Sequence, residues 1–252
     1  MVANIVMDKL TKPLVIAHRG AAGERPENTM AAFDRAIEQG CDCIELDVRL
    51  TADGVPVVFH DRNVVRMTGI DKRLSEMTLA EVQTVRIAQT HRIPVFEDII
   101  AQLCHKTIVD IEIKEDRAVT PVLAILDKLK LNDHVLISSF SELAVREVHR
   151  LNPNITTGLI MGHETWNLVV RLKETVPFIS LWGCHTRCLI THHSLALKPL
   201  VSLLHLLGFT VFVYASIKEE KEVNRNYFSQ ASSKNVDGIA SIWPGQLRQT
   251  II

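Results

Sequence analysis

The sequence predicts an α/β fold, a (β/α)8 TIM barrel with a small insertion after the second strand, and three observations carry that prediction. The 252 residues, 47% of them hydrophobic, match the length of about 250 residues typical of one such barrel. Strand-like runs alternate with helix-like runs, giving eight parallel strands once one hairpin return is set aside. Polar and charged residues fall at or near the C-terminal ends of the early strands, the face on which barrel enzymes keep their chemistry. A doubly wound open sheet alternates in the same way, and the placement of these residues favours closure. One domain over residues 1–252 is expected, with the insertion at about 51–93.

Leu14 to Ala17 is a short apolar strand running into His18-Arg19-Gly20. After Pro26-Glu27, Asn28 is a suitable N-cap for a helix over Thr29 to Gln39, which places Met30, Phe33 and Ile37 on one face and stops at Gly40. The second strand starts at Cys43, carries Glu45 and Asp47, and turns at Asp53-Gly54, a strong hairpin signal. With those two as turn residues, Ala52 faces Val55 and Asp47 faces His60. Glu45, Asp47 and His60 then converge on one side of the hairpin. Such a face is poor core material, because burying unpaired charge is costly. The return Val55 to Phe59 cannot be a parallel barrel strand, since a parallel crossover needs roughly a dozen residues.

The segment from Asp61 to Ile93 is locally basic through Arg62, Arg66, Lys72 and Arg73. Thr78 caps a short helix to about Arg86, Ile93-Pro94 ends it, and the whole reads as the insertion. A helix over Glu97 to Cys104 leads to a strand over Thr107 to Ile113, followed by Lys114. Its period of two puts Asp110, Glu112 and Lys114 on one face and Val109, Ile111 and Ile113 on the other. Alternation then continues. Helices are expected at about 121–131, 142–151, 165–174, 195–207 and 218–232, and strands at 134–138, 156–160, 178–181, 210–214 and 236–240.

Charge excludes some functions. With 28 basic and 29 acidic residues, the chain lacks the footprint of a nucleic-acid binder, and a small-molecule partner is favoured. Leu200 to Ile217 has no formal charge, but Gly208 divides it into a helical half and a strand-like half, which disfavours a membrane span. Met1 to Pro13 lacks the apolar run of a secretory signal. Five cysteines without a regular framework fit a reducing compartment, so a cytoplasmic location is expected. Cys184, Cys188, His192 and His193 have spacings compatible with zinc but match no regular zinc module.

His18-Arg19-Gly20, Pro26-Glu27-Asn28-Thr29, Glu45-Leu46-Asp47, Asp53-Gly54, His60-Asp61 and Glu112-Ile113-Lys114, in this order and spacing, resemble the glycerophosphodiester phosphodiesterase family. The resemblance implies hydrolysis of glycerophosphodiesters to sn-glycerol 3-phosphate and an alcohol. It implies that Glu45, Asp47 and Glu112 bind one divalent cation, that His18 and His60 are the acid/base pair, and that Arg19 and Lys114 hold the phosphate. An all-oxygen ligand set suits Mg2+ or Ca2+. Glu27 is expected to orient the site or to serve the helix entry, and Asp61 to steer His60 or to begin a loop. The chain departs from the family pattern at Tyr214-Ala215-Ser216-Ile217 and Ser241-Ile242-Trp243-Pro244. An apolar rim at Ile242 and Trp243 would favour a lipid-like alcohol, so lysophospholipase D activity is an alternative. A catalytically idle barrel that binds phosphodiesters is another.

Overall fold

A computed structural model describes residues 12–162, 177–217, 219–220 and 225–251. Strand β1 (Leu14–His18) is followed by helix α1 (Met30–Glu38), β2 (Cys43–Leu50), β3 (Pro56–Val58), α2 (Val65–Thr68), α3 (Leu79–Val82), α4 (Phe96–Leu103) and β4 (Ile108–Ile113). The second half runs α5 (Val119–Leu129), β5 (Val135–Ser139), α6 (Glu142–Leu151), β6 (Thr156–Met161), α7 (Pro177–Gly183), β7 (Cys188–His192), α8 (Lys198–Leu206), β8 (Thr210–Tyr214), α9 (Arg225–Ser233), β9 (Gly238–Ser241) and α10 (Pro244–Ile251). The sheet order is β1-β9-β8-β7-β6-β5-β4-β2-β3, and β1 also pairs with β2. Eight parallel strands therefore close on themselves, and β3 pairs antiparallel with the C-terminal end of β2, beyond the residues that β1 pairs with.

Period-two parity sorts the core. On β2 and β4, Ile44, Leu46, Val48, Val109, Ile111 and Ile113 pack outward against the helix layer with Phe33, Phe96 and Ile100. The barrel floor is a separate cluster of Ile16, Cys43, Leu136, Ile160, Cys188, Ile190, Phe212 and Ala240. Residues 51–93 enclose an apolar cluster of their own, including Val57, Phe59, Leu74 and Ile93. Thr78 and Glu81 close a capping box on α3, as the sequence led us to expect for Thr78.

Three expectations are corrected. The Asp53-Gly54 turn is a three-residue loop, with Thr51 N–H donating to Val55 O, so Phe59 and not His60 faces Asp47. Asn28 does not cap the first helix. Thr29 does, its hydroxyl accepting from Ala32 N–H. The run from Phe178 to Leu181 belongs to α7, and the sixth barrel strand is β7, Cys188–His192. Short apolar runs are ambiguous between helix and strand, and polar neighbours at His185, Arg187 and His193 masked the true strand. The charge-free stretch Leu200 to Ile217 holds the end of α8, Gly208 at φ +79° and β8. No helix among the described residues is long and apolar enough to cross a membrane. The helix expected at 165–174 and most of the N-terminal stretch 1–13 lie outside the described residues.

Candidate active site

The C-terminal ends of β1, β2 and β4 assemble one polar wall. His18, Arg19, Glu45, His60, Glu112 and Lys114 all line a single mouth of about 1600 Å³. Asp47 is fully buried beneath it. One oxygen each from Glu45, Asp47 and Glu112 lies within 4.8 Å of the others. His60 reaches the mouth despite the one-residue slip in the hairpin. The ladder ends at Phe59, whose N–H donates to Asp47 O, and Arg49 Nε donates to the His60 carbonyl at 2.6 Å, so the chain turns there.

Local backbone explains the His18-Arg19-Gly20 corner. Arg19 has φ +57°, and Gly20, at φ +79°, abuts the Ala32 backbone so closely that a Cβ would lie 2.7 Å from its carbonyl carbon. The corner aims Arg19 N–H at Glu45 Oε2 (2.8 Å) and Arg19 Nε at Asp47 Oδ2 (3.2 Å). Asn28, also at positive φ, donates through Nδ2 to Asp47 Oδ2 at 2.7 Å and accepts from Asp47 N–H at 3.2 Å. Asn28 is thus a positioning residue that reading it as a helix cap concealed.

Charge in this wall is unevenly compensated. Lys114 Nζ bridges Asp47 Oδ1, at 3.0 Å, and Glu112 Oε1. Burial would push Asp47 up, but Lys114 and Arg19 hold it well below the usual carboxylate range. Glu45 goes the other way: burial, then the negative Asp47 and Glu112, raise it well above that range. Glu45 Oε1 is buried without a hydrogen-bond partner. An orphaned carboxylate oxygen among three carboxylates is what a hard divalent cation would satisfy, so these residues fit one. His18 is largely shielded from solvent, its side chain 12% exposed, and desolvation with the charge of Arg19 lowers its pKa well below the usual imidazole value against the opposing charge of Asp47.

A chain of alternating charge connects this cluster to His60. Arg19 Nη1 donates to Glu27 Oε1 at 2.9 Å, and Arg66 holds both Glu27 oxygens, at 2.7 and 2.9 Å. Arg66 Nε donates to Asp61 Oδ2 at 2.5 Å, and Asp61 Oδ1 lies 2.6 Å from His60 Nδ1. Hydrogen bonds from His60 and Arg66 keep Asp61 below its ordinary pKa against the effect of burial. Glu27 and Asp61 therefore both serve the site geometrically. Arg66 had shown itself in the sequence only as one of several local positive charges.

The opposite wall is largely apolar, with Phe140, Ile160, Ile190, Phe212, Tyr214 and Ile217. Tyr214 to Ile217 thus lies on the mouth as its sequence position implied. The expected Ile242-Trp243 rim does not exist. Ile242 is buried and donates its N–H to Glu220, while Trp243 Nε1 donates to the Glu220 carbonyl and its ring covers Gly23. Cys184 and Cys188 are buried in separate apolar clusters, away from any metal-like grouping among the described residues.

Comparison with known proteins agrees with this geometry. A glycerophosphodiester phosphodiesterase of Caldanaerobacter subterraneus subsp. tengcongensis is 35% identical over 178 residues, covering 64% of this chain and 73% of the relative. Glycerophosphodiester phosphodiesterase 1 of Bos taurus is 27% identical over 240 residues, covering 89% and 70%. The solved structure of an Oleispira antarctica phosphodiesterase, in complex with the product sn-glycerol-3-phosphate, has a TM-score of 0.78 at 25% identity and covers 95% of this chain and 96% of that one. An Agrobacterium tumefaciens structure shares the fold with a TM-score of 0.79 at 24% identity, covering 94% and 99%. With residues 18–241 matched to it as well, the chain belongs to the glycerophosphoryl diester phosphodiesterase family, and is a phosphoric diester hydrolase.

Proposed function

We propose that this chain hydrolyses glycerophosphodiesters to sn-glycerol 3-phosphate and an alcohol. The observation that carries the reading is the gathering of three carboxylates, two imidazoles and two cationic side chains at one end of a family barrel. The product bound to the Oleispira relative is a molecule of the size and charge such a mouth suits. Glu45, Asp47 and Glu112 would hold one divalent cation, and their oxygen-only donor set favours Mg2+ or Ca2+. When bound, the cation draws charge from the phosphoryl oxygens. All five cysteines are free thiols, as a reducing compartment such as the cytosol keeps them.

Arg19 and Lys114 supply the remaining positive charge around the phosphate. His18, largely shielded from solvent and lowered in pKa, stands neutral and takes the proton from the glycerol hydroxyl next to the phosphate. That oxygen attacks phosphorus, the bond to the alcohol breaks, and His60 gives its proton to the departing oxygen. Asp61 at Nδ1 stabilises the His60 imidazolium and leaves Nε2 as the proton carrier. The cyclic phosphate is then opened by water with the two histidines exchanging roles.

The test is the release of choline from glycerophosphocholine, its monoacyl analogue and its 2-deoxy analogue. The intact diester is cleaved and the 2-deoxy analogue is not, and His18→Ala or His60→Ala each lowers kcat by about a hundredfold or more. Equal cleavage of the 2-deoxy analogue refutes the cyclic route. The monoacyl analogue reports whether the apolar wall accepts an acyl chain on the glycerol moiety.

A further inference from the structure

The two histidines that close β7 take no part in the chemistry above. His192 Nε2 lies 3.0 Å from Glu219 Oε2, and His193 Nε2 lies 3.7 Å from Glu219 Oε1. One ligand atom from each of the three residues falls within 4.8 Å of the others. We propose that His192, His193 and Glu219 form a second metal site, for a transition-metal cation of the Zn2+ class, at the rim of the same mouth.

Three observations support it. The spacing is right: with zinc–ligand bonds of about 2.0–2.1 Å, tetrahedral ligand atoms stand about 3.3–3.4 Å apart, between the two separations seen. The donors are also held in place by outer partners, as metal ligands are. His192 Nδ1 meets Ser194 Oγ at 2.8 Å, which leaves Nε2 towards Glu219, and Glu219 Oε2 accepts from Ser216 N–H and Oγ at 2.8 and 2.7 Å. Tyr214 packs edge-on to His192, and the His193 ring lies 4.9 Å from that of Tyr227. Gly162 leaves room, since a Cβ there would lie 2.8 Å from that of His192.

The donor chemistry separates this site from the carboxylate cluster. Two imidazoles and one carboxylate suit Zn2+ and its neighbours, whereas three carboxylates suit Mg2+ or Ca2+. Three protein ligands leave a coordination position open. His192, Ser194 and Ser216 line the mouth with His18 and Glu112, so that position is reachable by an oxygen of a bound molecule. The site does not depend on the catalytic reading. It also accounts for half of the metal-like spacing noted in the sequence: the histidines take Glu219 as their third ligand in place of the buried cysteines.

The experiment is a Zn2+ titration of the untagged chain in saturating Mg2+, followed by calorimetry, with Co2+ absorption as a spectroscopic check. One zinc equivalent binds wild type, and His193→Ala and Glu219→Ala each weaken it by more than about a hundredfold and remove the cobalt band. Ser216→Ala, which removes only one hydroxyl, weakens it by about 10–100-fold and serves if the ligand variants do not fold. Glu45→Gln, at the other cluster, leaves it in place. The proposal is overturned if no equivalent binds. It is equally overturned if the equivalent survives the His193, Glu219 and Ser216 substitutions, disappears in Glu45→Gln, or disappears in His149→Ala, which removes the stacked His149 and His185 pair elsewhere on the surface.

Discussion

Replacing Glu45 with Gln separates the charge cost of the carboxylate cluster from its use. In metal-free protein, burial and the neighbouring Asp47 and Glu112 raise Glu45 above its ordinary value of 4.5. The native state then keeps a proton that the unfolded chain has released. The contribution of Glu45 to stability is greatest at low pH and falls as pH rises above that value towards its raised folded-state pKa, by at most about 1.4 kcal/mol per pH unit for one proton. Glutamine carries no charge, can still accept from Arg19 N–H through its Oε1, and brings an N–H into the space beside Asp47 and Glu112. In EDTA, Glu45→Gln should therefore melt higher than wild type, by a margin that widens between pH 5 and 8. Cation binding reverses the order. At a hundred times its Kd, a ligand stabilises by about 2.7 kcal/mol, equivalent to about 5–10 °C in a chain of this size. Wild type should gain that shift in Mg2+ or Ca2+, and Glu45→Gln little of it. Calorimetric melts with and without the metal measure both effects. A variant that gains as much as wild type from the cation would show that Glu45 does not hold it, and one that melts lower in EDTA at pH 8 would show that the buried carboxyl carries no charge cost.

Two further outcomes follow from the same wall. Arg66→Ala leaves Glu27 with Arg19, and Asp61 with His60, as the remaining partner in this chain. Because Arg66 is 45% exposed, the stability loss should be only about 1 kcal/mol, while kcat for glycerophosphocholine falls about tenfold at nearly constant KM. A p-nitrophenyl ester, whose alcohol leaves without needing a proton, should lose less, and equal losses on both esters would remove the link to His60. Gly20→Ala combines a residue at φ +79° with a Cβ 2.7 Å from the Ala32 carbonyl carbon, so urea unfolding should show a loss of about 2–4 kcal/mol.

Much of the site was legible because parity is a strong signal. Alternation along β4 separated Asp110, Glu112 and Lys114 from Val109, Ile111 and Ile113, and the structure keeps that separation, with Ile113 reaching the mouth at its end. Where legibility failed, the local rule had a competitor. A two-residue hairpin reading at Asp53-Gly54 put His60 opposite Asp47, and the right residue reached the mouth for another reason, the chain's departure from the ladder at Phe59. Asn28 satisfied the composition rule for an N-cap, but the cluster claimed it, with Thr29 next in line for the helix. The Phe178 run met strand and helix patterns equally. Glu27, Arg66 and Asp61 are joined only through tertiary packing of residues 51–93 over the β1 corner, for which no spacing in the chain is a signal. The Ile242-Trp243 pair was apolar in sequence and therefore looked like a binding rim, whereas its backbone and indole N–H groups tie it down to Glu220.

In the proposed mechanism Glu45, Asp47 and Glu112 hold a divalent cation on which phosphodiester hydrolysis depends. The most direct test is release of sn-glycerol 3-phosphate from glycerophosphocholine by wild type and Glu112→Gln, in EDTA and after Mg2+ or Ca2+ is restored. No release is expected in EDTA, with recovery in wild type with one or both metals and little or no recovery in the variant at the same concentration. Full activity in EDTA, or recovery in Glu112→Gln equal to that of wild type, would contradict it.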